Sequence, residues 1–207
     1  GLESLELHAQ GAIVNPFELN ASTQQTIQEL QAHPEYPELF YRAFGVQAQE
    51  LTLIHVSQAL ASYQRVLLSG DSPYDRAVAG EEPLSDAALR GRELFFTEKA
   101  ECWHCHSGFD FADDHFHNNG ILTDDPGRWR VTQRETDRGR FKTPTLRNLM
   151  HTAPYMHDGR FQTLEEVLDH YAAGGQGHPN QSAFIDRINL TEQEKQDLIA
   201  FLESLSD

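Results

Sequence analysis

Apolar positions in this chain recur at spacings of three and four, and the pattern reads as mostly helical. Ser22-Thr23-Gln24-Gln25 has the chemistry of a capping box and predicts a helix to about His33, stopped before Pro34. A longer helix is predicted over about 49–69. There Leu53, Val56, Leu60, Tyr63 and Leu67 draw one apolar stripe, and Gly70 and Pro73 end it. Residues 70–83 are rich in turn formers and acids and read as a domain connection. Ser85 caps the next predicted helix, which runs to about Phe96 with Leu84, Ala88, Gly91 and Phe95 on its inner line. Gly91 would let another helix approach closely. The stretch 107–143 has no sustained period and reads as loop with a short hairpin. Thr163-Leu164-Glu165-Glu166 starts a helix with Leu164, Val167, Leu168 and Tyr171 on one face, ended by Gly174-Gly175. Thr191-Glu192-Gln193-Glu194 starts the last one, whose buried face is Leu198, Phe201, Leu202 and Leu205. The predicted fold class is all-α.

Composition narrows the function. The chain has 207 residues and 39% hydrophobic positions, 12 of them Phe, which is lean but enough for a packed core. Asp and Glu number 32 against 16 Lys and Arg, for a net charge of −16. Phosphate contacts dominate nucleic-acid affinity and need a basic face, so a nucleic-acid partner is not expected, nor is an anionic membrane surface. No apolar run approaches the length of a bilayer span, and no basic-then-apolar leader opens the chain. No internal repeat is visible.

The only cysteines are Cys102 and Cys105, three positions apart, which excludes a disulfide framework. Cys102-Trp103-His104-Cys105-His106 reads C-x-x-C-H, the attachment pattern of c-type haem. Two thiols at this spacing reach the two vinyl groups of one porphyrin, and His106 then lies under the ring to bind iron. A zinc site using His104 or His106 would need four closed ligands, and no second Cys/His cluster stands out. A redox dithiol would need a βαβ context. The opposite face of the iron decides between electron transfer and oxygen chemistry. Met150, Met156, His157, His170, Tyr171 or no residue are the candidates there, and spacing does not choose among them.

Three further runs carry a resemblance. These are Phe141-Lys142-Thr143-Pro144-Thr145-Leu146-Arg147-Asn148, then Thr152-Ala153-Pro154-Tyr155-Met156-His157-Asp158-Gly159, then Thr163 to Val167. With Asp113 to Asn118, Ser72 to Arg76 and Asn15 to Glu18, they resemble the bacterial di-haem cytochrome c peroxidase and MauG superfamily over nearly the whole chain. The resemblance implies a cytochrome c-like haem domain over 80–207, preceded by the remainder of a second such domain over 1–79. Peroxidases of the family carry a Met ligand fourteen residues after the His of the P-Y-x-H motif. Here that position is Tyr171, where the MauG-like branch carries its Tyr ligand. An anionic phenolate lowers the iron potential and suits a site that holds an oxidising equivalent, whereas a thioether raises it.

The resemblance implies further roles. Glu18 matches the distal acid beside the peroxide-binding haem, able to shuttle a proton. The family's Gln and Pro before that acid are replaced by His8 and Ala12, and His8 could itself donate a proton. Thr152 and Pro154 match backbone ligands of an inter-haem calcium, whose Asn partner would lie before Gly1. Lys142 and Arg147 could pair with haem propionates. His115 and His117 read as an exposed polar loop, and Trp103 and Trp129 as ordinary packing. The family needs two haems and this chain can attach one. The segment carrying the first haem is expected elsewhere, as a cleaved or separate piece, rather than the protein being truly mono-haem.

The expected function is a periplasmic MauG-type oxidoreductase that takes hydrogen peroxide and oxidises a partner protein, with tryptophan modification as the outcome. A peroxidase fed by a small cytochrome is the alternative, and a mono-haem electron-transfer cytochrome ligated by Met156 is the third reading.

Overall fold

The computed structural model describes residues 4–207, which form two compact units, one up to Leu68 and one from Ser69 to Asp207. The first unit holds α1 (Leu5–Val14), α2 (Thr23–Ala32), α3 (Tyr36–Phe44) and α4 (Leu53–Gln64). Ser22 caps α2 as its sequence predicts, its hydroxyl accepting from the Gln25 N–H. The helix predicted over 49–69 is shorter. A 3-10 turn at Ala48–Glu50 precedes it, Leu51 and Thr52 are extended, and α4 ends at Gln64.

The predicted apolar stripe is only half-covered at its start, at Leu53 and Val56, and does not face inward beyond it. Leu60, Tyr63 and Leu67 are exposed, whereas Ser57 and Ala61 are buried. The reason is the partner: α4 packs on α1, where Ala9 and Ile13 are buried and Gln10 Nε2 donates to Ser57 Oγ at 3.0 Å. Small side chains allow that approach, and the bulky row falls outside it.

The second unit holds α5 (Pro73–Val78), α6 (Asp86–Phe95), α7 (Trp129–Thr132), α8 (Leu164–Ala172) and α9 (Glu192–Glu203). In place of the predicted short hairpin, β1 (Phe116–His117) pairs antiparallel with β2 (Phe141–Lys142) across a long connection that includes α7, with His117 opposite Phe141. Thr163 and Thr191 form full capping boxes with Glu166 and Glu194. The core gathers Phe95, Phe111, Leu146, Leu164, Leu168, Leu198, Phe201, Leu202 and Leu205. Phe95, Phe111 and Tyr74 meet Phe201 edge-on at centroid distances of 5.1 to 6.1 Å, the arrangement that ring quadrupoles favour.

The second unit begins at Ser69, ahead of the boundary predicted at 79. Residues 70–79 belong to it because Tyr74 packs into its core, the Tyr74 N–H donates to the Ser204 carbonyl at 2.9 Å, and Asp75 pairs with Arg147. A turn-rich stretch thus forms a short helix capped by Ser72.

Helices α6 and α9 cross at Gly91, where an added Cβ would lie 1.8 Å from the Asp197 carbonyl oxygen. Arg90 locks the crossing with two bonds to the Asp197 carboxylate, at 2.8 and 2.6 Å. Gly91→Ala is expected to cost about 3 kcal/mol, roughly 10 °C in the melting midpoint of the haem-loaded protein. An unchanged midpoint would show that the crossing is not tight.

Arg147 is buried and clamps Asp75 through two bonds of 2.8 and 2.9 Å, while its Nε donates to the Phe109 carbonyl at 2.7 Å. The guanidinium, helped by Ser72, holds the Asp75 carboxyl at about 2, below its ordinary 3.8. The folded value is depressed, so this stabilisation is complete above the ordinary value and is lost as pH falls from about 4 to 2. Asp75→Asn should therefore be less stable at neutral pH and lose less on acidification across that window. Denaturant unfolding at stepped pH measures both, and parallel profiles for the two proteins would refute the pairing.

Candidate functional site

The C-x-x-C-H segment begins with Glu101 in the left-handed region at φ 54° and continues as a 3-10 turn over Cys102–His104. This turn brings Cys102, Cys105 and His106 onto one cavity of about 420 Å³, within the range of small-molecule sites. Much of its wall is core: Phe95, Leu146, Leu164, Leu168, Leu198 and Leu202. The cysteines are unpaired, and burial pushes the Cys102 thiol up to about 12 and the Cys105 thiol to about 11. Such protonated thiols are poor exchange nucleophiles, which weighs against a redox dithiol.

His106 Nδ1 lies 2.9 Å from the Phe111 carbonyl oxygen. Donating there makes Nε2 the unprotonated, electron-donating nitrogen. Burial lowers the pKa of His106, so the ring stays neutral, the form a metal binds.

Tyr171 sits one turn beyond Leu168 on α8, which carries it to the same cavity. Burial pushes its phenol up to about 12. Met156 and His157 also line the cavity. His157 is stacked on Phe141 at 3.7 Å, and His170 is turned away, with Nε2 2.8 Å from the Asn119 carbonyl oxygen. Met150 is exposed and does not line the cavity.

Thr152, Pro154 and Lys142 line the cavity too, with Lys142 Nζ paired to Asp114 at 2.6 Å. Arg147, expected beside propionates, does not line it. Its charge is spent on Asp75, because α5 folds into this unit. The His115–His117 pair splits although residues two apart share a face of a strand, because His115 lies outside β1. His115 is exposed, whereas His117 lines the cavity and bonds Asp113 at 2.7 Å. Trp103 stacks on His104 at 4.1 Å, and Trp129 Nε1 donates to Glu135 at 2.9 Å.

Glu18 and His8 belong to the first unit. Both are exposed, and Glu18 accepts from Asn15 Nδ2 at 2.8 Å. Asn119 and the Phe111 carbonyl escaped the sequence reading, and His117, read there as part of an exposed polar loop, instead lines the cavity. An Asn in a polar run, or a carbonyl of any residue, carries no sequence signal of its own. The donors and the apolar wall together fit a covalently attached haem c: two thiols, a neutral imidazole with Nε2 free, and further oxygen and sulfur donors on the same cavity.

Comparison with known proteins agrees. A family model described as di-haem cytochrome c peroxidase matches residues 1–83, and one described as cytochrome c matches residues 88–206. The methylamine utilization protein MauG of Methylorubrum extorquens is 41% identical over 98% of this chain and 58% of its own length. Cytochrome-c peroxidase IdrP1 of a Pseudomonas species is 33% identical over 99% of this chain and 62% of its own. The crystal structure of a MauG-like protein associated with microbial copper homeostasis superposes with a TM-score of 0.93 at 34% identity, covering all of this chain and 70% of that one. The chain thus spans about three-fifths of the length of these two sequence relatives.

Proposed function

This chain belongs to the di-haem cytochrome c peroxidase and MauG family, and from that premise we propose that it forms part of a periplasmic oxidoreductase of the MauG type. Hydrogen peroxide is its oxidant, and a partner protein, modified at tryptophan, is its electron source. Reduction of one peroxide to two waters consumes two electrons and two protons, and the partner supplies both pairs. The observation that carries the reading is a tyrosine, not a methionine, at position 171 of the cavity that holds the Cys102–His106 segment.

In this reading Cys102 and Cys105 would anchor the haem through thioethers, and His106 Nε2 and the Tyr171 phenol would hold its iron. Bound haem supplies a redox iron whose potential its axial ligands set. The Phe111 carbonyl fixes the imidazole orientation, and the core leucines exclude water. Lys142 is the cavity-lining cation for propionates. Glu18 holds or delivers the peroxide proton at the other haem, with His8 as a second donor. That haem is carried by a segment beyond these residues, because the only two cysteines make one attachment pair. Exposure of Phe17, Leu19, Leu67 and Leu68 on the first unit supports such a covering segment or separate fragment. Calcium ligation by the Thr152 and Pro154 carbonyls remains part of the proposal, since neither carbonyl accepts a hydrogen bond among the described residues. Among these residues no helix is long and apolar enough to cross a membrane.

A second reading, a peroxidase taking electrons from a small cytochrome, is favoured by the Met156 thioether on the same cavity and by the peroxidase relative. A mono-haem electron carrier ligated by Met156 is the third.

Two experiments decide. Cys102→Ala with Cys105→Ala should release haem from the denatured chain, while either single change keeps it covalently bound with a shifted pyridine haemochrome band. Haem retained by the double variant would refute the attachment. With stoichiometric peroxide added to the complete di-haem protein, Tyr171→Phe should abolish or reshape the oxidised-state spectrum in stopped flow. An unchanged spectrum would remove Tyr171 as ligand, and fast steady turnover with reduced cytochrome c would favour the second reading.

A further inference from the structure

Two donors of opposite character line the cavity, the Tyr171 phenol and the Met156 thioether, and Asn119 lines it with them. Asn119 Nδ2 donates to Met156 Sδ at 3.2 Å. Its position is held from several sides. Its carbonyl oxygen lies 2.8 Å from Nε2 of His170, the residue beside Tyr171 on α8. Its neighbour Asn118 is buried, accepts from the Gly120 N–H at 2.9 Å and meets His178 Nδ1 at 2.9 Å. Gly120 has φ 82°, and a Cβ there would lie 2.4 Å from Gln181 Oε1. The amide is therefore placed by the loop, not by its own rotamer alone.

Met156 itself has φ 71°, a region that is strained for a non-glycine residue and persists only where its surroundings over-determine it. An amide bond to sulfur engages a thioether lone pair and ties a flexible side chain to the loop.

We propose that Asn119 is a positioning residue that decides which donor a haem iron would take, tethering the Met156 thioether to its loop so that the Tyr171 phenol is left as the donor. The inference rests on Tyr171 being the ligand in the wild-type protein. Without the Asn119 amide, sulfur is free to compete with the phenol. The exchange moves the site from a low to a higher potential, because a thioether raises the potential of haem iron.

The test uses ferric haem-loaded protein, its absorption spectrum and a redox titration. Asn119→Leu should give most of the haem the long-wavelength charge-transfer band of methionine-ligated iron, with a raised midpoint potential. Adding Met156→Leu should remove both. Asn119→Asp, of the same shape but without the N–H donors, should move the spectrum in the same direction and serves if the leucine variant folds poorly. A wild-type spectrum and potential in Asn119→Asp or Asn119→Leu would overturn the proposal, as would a methionine-like band that survives Met156→Leu. Failure of the underlying reading looks different: Tyr171→Phe alone, with Asn119 intact, would leave the ferric spectrum unchanged.

Discussion

The 2.9 Å contact between His106 Nδ1 and the Phe111 carbonyl oxygen is the constraint on which the site depends. An imidazole has two nitrogens, and either can carry the proton. Committing Nδ1–H to a backbone carbonyl directs Nε2, and with it the lone pair, to the cavity. Phe111 can serve only because its ring is locked in the core against Phe95, Tyr74 and Phe201. Its own backbone is left-handed at φ 49°, stabilised by a turn bond from its N–H to the Gly108 carbonyl. The ligand geometry is thus an output of core packing: α6 and α9 cross tightly at Gly91, Phe95 and Phe201 meet, and Phe111 seats against both. A change that loosens that crossing would move the imidazole without touching it.

Local rules made most of the second unit legible in the sequence. Thr163 and Thr191 announce their helices because a hydroxyl before an acid three positions on satisfies two orphan N–H groups wherever it occurs. Gly91 was legible because a missing Cβ in an apolar line has one use, close approach of another backbone. The C-x-x-C-H cluster was legible because its chemistry is local. Arg147 was not, since its partner Asp75 lies 72 positions away on a stretch that reads as a connection. Asn119 was invisible for the same reason, as its meaning lies in Met156, 37 positions on, and in Tyr171.

The first unit shows where periodicity misleads. The row of Leu53, Val56, Leu60, Tyr63 and Leu67 is a sound amphipathic stripe, yet α4 meets α1 through Ser57 and Ala61. Periodicity reports that a helix has an apolar face; it does not say that the face is covered by the elements at hand. Val66, Leu67 and Leu68 are each more than half exposed. Burying such side chains is worth about 1.5–3 kcal/mol apiece, which the elements of the first unit leave unrealised.

Tyr171 joins the two kinds of information. Its address is set by the fold: the Thr163 cap starts α8, Leu164 and Leu168 seat it on the core, and the next residue on that face must look into the cavity. Any side chain at 171 would arrive at the same place. The chemistry is set by the residue type alone, since a thioether at that address would take up electrons readily and a phenol favours a more oxidised iron. A scaffold that separates address from chemistry can change reaction class with little change in packing.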